Sequence, residues 1–203
     1  MFRWGLDRSE ALIAVSNAVR RSVLGDLDTP THVIYNGVIP EDRARQISKS
    51  ASQARRDADR SSCFTFAILG RIQPSKGQEQ AVRAINRLYK KGMDVRLLIA
   101  GDGRKEHEES LNALVRQFGI PDVVSFLGFV DEPFSVYREA DAVLMCSENE
   151  AMGRVTAEGM AAARPVIGRD SGGTSELIDH GVNGLLYNDS VGALSDCMQR
   201  LAT

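Results

Sequence analysis

The chain is poor in cysteine, in aromatic side chains and in net charge. Its 203 residues hold three cysteines, Cys63, Cys146 and Cys197, none of them in a CxxC pair. Such spacing sets up neither a disulfide framework nor a cysteine zinc site, and it makes a reducing cytoplasm the default compartment. Aromatic residues make up 6% of the chain and the formal charge is −2. No global basic field is therefore available to attract nucleic acid or an acidic membrane. No apolar run approaches the ~20 residues of a bilayer span. The start, Met1-Phe2-Arg3-Trp4-Gly5-Leu6-Asp7-Arg8, lacks the apolar stretch of a signal peptide. A GxxxxGK[ST] phosphate loop is absent, and no GxGxxG follows the first strand, which argues against a dinucleotide dehydrogenase.

What is present suffices for a substantial core, with 43% hydrophobic against 26% charged residues. The length fits one large domain, or one domain plus a fragment of another. Ala11 to Val15 reads as a buried strand, followed by a helix from Ser16 or Asn17, both good capping types. Val33 to Asn36 reads as another strand, closed by Asn36-Gly37. Residues 41–62 are polar and poor in large apolar side chains, which predicts an exposed helix or a linker.

From Phe64 onward, short β-rich runs alternate with amphipathic helices. Strands are expected at Phe64–Leu69, Val95–Ala100, Val123–Leu127, Ala142–Cys146, Pro165–Ile167 and Gly184–Tyr187. Helices are expected after each, with Ala81, Val82, Ile85, Leu88 and Tyr89 forming one apolar face at a 3.6-residue period. This alternation predicts an α/β domain with a Rossmann-like, doubly wound parallel sheet. In such sheets ligands bind at the carboxyl ends of the strands.

The chemistry-bearing residues fall in the loops at those ends. Gly70-Arg71-Ile72-Gln73-Pro74-Ser75-Lys76-Gly77 follows a strand, and Ser75 with Gln78 has capping-box spacing, which predicts a helix start at Ser75. A helix N-terminus joined by Arg71 and Lys76 suits a diphosphate, although two solvated cations beside a turn would look the same. Glu150 and Glu158 stand eight residues apart. If Glu150 lies in the loop and Glu158 two turns into the next helix, both can face one cleft and accept bonds from vicinal hydroxyls. The bland alternative is a surface Glu148/Glu150 pair with Glu158 solvated or paired with an arginine. Ser171-Gly172-Gly173 permits a close backbone approach to a ligand, or is a plain turn.

Taken in order, these elements resemble glycosyltransferase family 4 (glycosyl transferases group 1), a GT-B family. Its pattern is met by Gly70-Arg71, Lys76-Gly77, Gly101-Asp102-Gly103, Leu127-Gly128-Phe129-Val130, the E-x7-E pair Glu150 and Glu158, Pro165-Val166-Ile167 and Gly172-Gly173. Each motif alone is weak; their ordered set across roughly residues 10–190 is specific. The resemblance implies that this chain is the C-terminal, donor-binding half of a GT-B fold. Residues 1–36 would be the end of an N-terminal domain and crossover, 37–62 a polar linker or exposed helix, and 63–203 the donor domain. It implies a retaining, metal-independent hexosyltransferase that needs no cofactor and takes a UDP- or GDP-linked sugar as donor. The acceptor would be a sugar, lipid or polysaccharide.

Carried over by motif, Arg71 and Lys76 would bind the donor diphosphate, Glu158 the ribose and Glu150 the sugar. Arg71, Lys76 and Glu150 would form the catalytic set. Backbone at Ala151, Met152 and Gly153 would contact sugar or phosphate, Val130 and Glu132 would border the base, and Gly70 and Val155 complete the set. Met152 replaces a frequent Phe and Gly159 a frequent Ala. His32, His107 and His180 match no motif and read as surface residues. An acceptor domain is expected to lie outside this chain, along with any peripheral membrane contact, and the last helix is expected to be cut short. The competing readings are a stand-alone nucleotide-sugar binding module and a sugar-nucleotide epimerase of the same architecture.

Overall fold

A computed structural model describes residues 6, 8–23, 28–42, 44–47, 49 and 63–203. Six parallel strands form the main sheet: β3 (Phe64–Leu69), β4 (Val95–Ala100), β5 (Val124–Gly128), β6 (Ala142–Met145), β7 (Val166–Arg169) and β8 (Gly184–Tyr187). Their spatial order is β5-β4-β3-β6-β7-β8. The crossovers are α2 (Gln78–Lys90), α3 (Lys105–Phe118), α4 (Pro133–Glu139), α5 (Arg154–Ala161) and a 3-10 turn at Gly172–Glu176, and α6 (Val191–Ala202) ends the chain. Parallel strands cannot be joined by tight hairpins, so each strand-to-strand step crosses a face of the sheet.

The sheet is buried on both faces because successive strand residues point to opposite sides. In β3, Phe66 and Ile68 join the layer built by α2, α3 and α6, whereas Ala67 faces the other side with Leu98, Ala100, Val136 and Ala140. In β6, Ala142 and Leu144 face the first layer, while Val143 and Met145 face Phe134, Tyr137, Ala162 and Ile178. Helix α2 buries Ala81, Val82, Ala84, Ile85 and Leu88 completely. Each of its larger side chains contributes about 1.5–3 kcal/mol of transfer free energy. The expected Rossmann-like doubly wound sheet is present.

The first segment stands apart from this sheet. Strands β1 (Leu12–Ala14) and β2 (Thr31–Val33) form a separate two-stranded parallel pair, with α1 (Asn17–Val23) between them in sequence. The second strand thus begins two residues earlier than expected; Ile34 N still donates to Ala14 O at 2.9 Å, and no strand continues through Tyr35 and Asn36. Residues 41, 42, 44–47 and 49 are helical; the rest of the polar stretch predicted at 41–62 lies outside the described residues.

One local expectation fails. Helix α2 does not begin at Ser75. Pro74–Lys76 forms a 3-10 turn, and Gly77, at φ 73°, is the residue from which α2 starts. Proline fixes the first turn, and the left-handed Gly77 then resets the backbone direction. A Cβ at Gly77 would fall 2.5 Å from the Cys146 carbonyl oxygen, so only glycine fits there. Gln78 reaches the Arg71 carbonyl (Nε2 to O, 3.0 Å) instead of closing a capping box.

The C-terminus of α5 carries a Schellman motif: Arg164 N donates to Gly159 O (3.0 Å) and Ala163 N to Met160 O (2.9 Å). Ala163 occupies the left-handed position at φ 55°, the one non-glycine residue with positive φ among the described residues. An L residue there costs about 1–2 kcal/mol. Glycine's greater unfolded-state entropy returns about 0.5–1 kcal/mol of that. Ala163→Gly is therefore expected to stabilise the fold by about 0.5–1 kcal/mol, seen as a higher urea midpoint at unchanged m-value. A lower midpoint would show that the Ala163 methyl packs favourably enough to outweigh its backbone strain.

Candidate functional site

Strand β3 is paired with β4 on one side and β6 on the other. The helices after β3 and β6 therefore cross opposite faces of the sheet, and these strand ends are the switch point at which doubly wound sheets bind ligands. On the β4 side the loops are pressed together. Gly70 N donates to Ala100 O (2.9 Å), Ile72 N to Asp102 O (2.7 Å) and Gly101 N to Gly128 O (2.7 Å). A Cβ on Gly101, whose φ is +136°, would lie 2.0 Å from the Gly70 oxygen. On the β6 side, Glu148 N donates to Ser75 O (3.0 Å), tying that loop back to the loop after β3.

A cleft of about 410 Å³ opens over this ground. Leu69, Gly70, Ala100 and Gly101 contribute strand ends, Phe129, Val130 and Pro133 an apolar wall, and Arg71, Arg154, Val155 and Glu158 the opposite rim. Its volume falls in the range of small-molecule sites. Among the described residues Arg71 has no carboxylate partner, so its guanidinium is available to an anion. Glu158 is largely enclosed, at 12% side-chain exposure. Its Oε2 accepts from the Tyr137 hydroxyl at 2.8 Å and its Oε1 from Arg154 at 3.2 Å.

Lys76 and Glu150 do not line this cleft. They form a close ion pair, Nζ to Oε1, between the loops after β3 and β6. Glu150 and Ala151 instead wall a second cavity of about 970 Å³, bounded by α1 and by the turn at Gly172–Glu176. Gly173 N donates to Glu150 O at 2.7 Å, and Ser171 Oγ to Glu148 O at 2.6 Å, so the glycine pair braces the Glu150 loop. Met152 is buried beneath it, where its Sδ accepts from Asn36 N at 3.2 Å. Gly153 is the N-cap of α5, and Glu132 the N-cap of α4, outside the residues that line the first cleft. His32 and His180 are exposed, while His107 lines a third opening with Arg71 and Arg104. The described residues contain no group of His, Cys, Asp and Glu arranged to hold a metal ion. None of their helices is long and apolar enough to cross a membrane.

The bland alternative for Glu158, pairing with an arginine, is present in the structure: Arg154, four residues earlier on α5, is that partner. Two further residues that no motif singled out take part. Tyr137 and Glu176 gave no local signal. Glu176 holds the first segment against the domain: its carboxylate accepts from Asn17 N (2.9 Å), Ala18 N (2.5 Å) and Tyr35 Oη (2.5 Å), with Arg21 at 3.7 Å.

The fold and this cleft define a class, the doubly wound α/β domain of GT-B glycosyltransferases. The chain belongs to the family Glycosyl transferases group 1, which matches residues 63–203. It is 33% identical over 185 residues to an uncharacterised glycosyltransferase of Methanocaldococcus jannaschii, covering 86% of this chain and 46% of that protein. It is 28% identical over 208 residues to N-acetyl-alpha-D-glucosaminyl L-malate synthase of Bacillus anthracis, covering 99% and 52%. Among solved structures, the Anabaena protein Alr3699/HepE in complex with UDP superposes with a TM-score of 0.80 at 27% identity, over 95% of this chain and 54% of that one. The same protein in complex with UDP-glucose gives 0.79 at 27%, over 97% and 57%. The chain thus spans about half the length of the curated relatives it matches.

Burial pushes the Glu176 carboxyl up, but the Tyr35 hydroxyl and the amides of Asn17 and Ala18 outweigh it and hold the group below its ordinary 4.5. A depressed carboxyl stabilises the fold above its unfolded value and loses that contribution as pH falls through its folded value. The Glu176 anchor is therefore expected to be intact at neutral pH and to fail in acid, below 4.5. Protection of the Ala18 amide, corrected for intrinsic exchange, should fall there in the native chain, and should be low and nearly independent of pH in Glu176→Gln. Equal protection of Ala18 in the two proteins at neutral pH would contradict the anchor.

Proposed function

We propose that this chain is the donor-binding half of a retaining, metal-independent glycosyltransferase. It would take a hexose from a UDP- or GDP-linked donor and pass it to a sugar, lipid or polysaccharide acceptor. The observation that carries this reading is the cleft at the β3/β6 switch point, which brings Arg71, without a carboxylate partner among the described residues, and the enclosed Glu158 together over a floor of strand ends. The UDP and UDP-glucose complexes of the Anabaena protein support a nucleotide-sugar as the ligand.

In this reading the ribose hydroxyls donate to Glu158, and the base lies along Phe129, Val130 and Pro133. The diphosphate leaves toward Arg71 and Lys76. Arg71 offers a planar fork to two phosphate oxygens and Lys76 a point charge. These cations neutralise the charge that grows on the diphosphate as the bond from C1 of the sugar to the phosphate oxygen breaks. The acceptor oxygen bonds to C1 on the same face, and its proton passes to the departing diphosphate. The Lys76–Glu150 pair has a part here: donor phosphate would draw the ammonium away, freeing Glu150 to accept from sugar hydroxyls.

Arg71→Ala and Lys76→Ala are each expected to weaken UDP binding by about 1.5–3 kcal/mol, the loss of one charge-assisted contact. That is roughly ten- to a hundredfold in Kd by calorimetry. Lys76→Ala should cost less for UDP-glucose than for UDP, because Glu150 is then already free to accept from the sugar hydroxyls. Unchanged UDP affinity in both variants would sink the diphosphate assignment.

A further inference from the structure

Helix α4 contributes one hydroxyl to the cleft, and its surroundings are unusually fixed. Tyr137 is fully buried. Its ring meets Phe134 edge-on, with centroids 5.4 Å apart and planes at 70°, and it packs with Val143, Ala162 and Ile178. The main chain beneath it is pinned by Arg164, a buried side chain that donates from Nε to Tyr137 O and from Nη2 to Arg138 O, both at 2.9 Å. Neither the ring nor its helix can turn without disturbing this packing. Its hydroxyl points at Glu158 Oε2, 2.8 Å away.

A carboxylate presents about four acceptor sites. Tyr137 takes one on Oε2 and Arg154 one on Oε1. One site on each oxygen is left, which matches the two donors of a vicinal diol. The terminal torsion of a glutamate is otherwise broad, so an unheld Glu158 would present its oxygens in many orientations. Desolvation pushes the Tyr137 hydroxyl well above the ordinary tyrosine value, and the Glu158 charge adds to this, so the group stays a donor.

We infer that Tyr137 is a positioning residue that presets the Glu158 carboxylate to receive both hydroxyls of the donor's ribose. This rests on the ribose role of Glu158 set out above. Tyr137 touches the carboxylate and acts on the nucleotide only through it. A purely structural role for the hydroxyl would lower stability, or affinity for every nucleotide, without regard to the diol.

The test is calorimetry of the 203-residue chain with UDP and with 2′,3′-dideoxy-UDP, in native protein, Tyr137→Phe, Glu158→Gln and the double variant. Tyr137→Phe is expected to weaken UDP about three- to tenfold, the order of one hydrogen bond. Dideoxy-UDP should be unchanged, so that the ratio between the two ligands narrows. Glu158→Gln should narrow it further, and adding Tyr137→Phe to it should do nothing more. If Glu158→Gln leaves the ratio intact, the ribose reading itself is wrong, and the inference falls with it. If Glu158→Gln narrows the ratio but Tyr137→Phe leaves it unchanged or weakens both ligands equally, Tyr137 is structural and the inference alone is overturned. Should Tyr137→Phe not fold, 3-fluorotyrosine at position 137 keeps the ring in place and strengthens the donor. A changed ratio there supports the proposal and an unchanged one refutes it.

Discussion

Everything in the site depends on strand β3 being hydrogen-bonded to β4 on one edge and to β6 on the other. A parallel strand with neighbours on both edges fixes where its own loop and theirs can go. The loops after β3 and β4 travel together, locked by main-chain bonds from Gly70 to Ala100 and from Ile72 to Asp102, and Gly101 N ties the β4 end to Gly128 of β5. The helices after β3 and β6 cross opposite faces of the sheet, although their loops touch where Glu148 N donates to Ser75 O. The cleft opens over the ends of β3 and β4, between the loop after β5 and helix α5. Its rigidity comes from backbone contacts so close that a side chain on Gly101 or Gly77 would collide with a carbonyl oxygen.

On that scaffold three glutamates are held in three different ways. Glu150 faces a lysine from the opposite loop. Glu158 sits between a buried phenol and an exposed guanidinium. Glu176 gathers two amides and a phenol from the first segment. Each is a partly enclosed charge, and such charges persist only when hydrogen-bonded. The arrangement also connects the parts. The turn that bears Glu176 braces the Glu150 loop through Gly173, so the contact with the first segment and the loop proposed to hold the sugar share one short stretch of backbone. By contrast, Cys146 lies next to this machinery as an inert thiol, pushed up to about 12 by burial.

Much of the fold was legible in the chain itself. The strand at Phe64–Leu69 and the burial of Ala81, Val82, Ile85 and Leu88 on α2 follow from residues a few positions apart, although Tyr89, expected on the same face, is exposed at the helix end. The expected start of α2 did not survive. Ser75 and Gln78 had the spacing of a capping box, but Pro74 and the left-handed Gly77 imposed a 3-10 turn, and Gln78 was drawn to the Arg71 carbonyl. Arg71, Lys76 and Glu150 were legible as loop residues following strands, and Glu158 as a residue of the helix that follows. Their grouping was not: Arg71 and Glu158 share one cleft, while Lys76 and Glu150 meet beside another.

The sequence by itself determined the alternation of strands and helices, the loops that carry charge, and the ordered motifs that mark the family. These are properties of neighbours along the chain, set by backbone sterics and by the period of burial. Only the tertiary structure decided which charges meet. Tyr137 reaches Glu158 across 21 positions, Lys76 reaches Glu150 across 74, and Asn17 reaches Glu176 across 159. Such contacts depend on the order of strands in the sheet, which no local pattern encodes. The cleft was thus foreseeable as a place, but its partners had to wait for β6 to be laid beside β3.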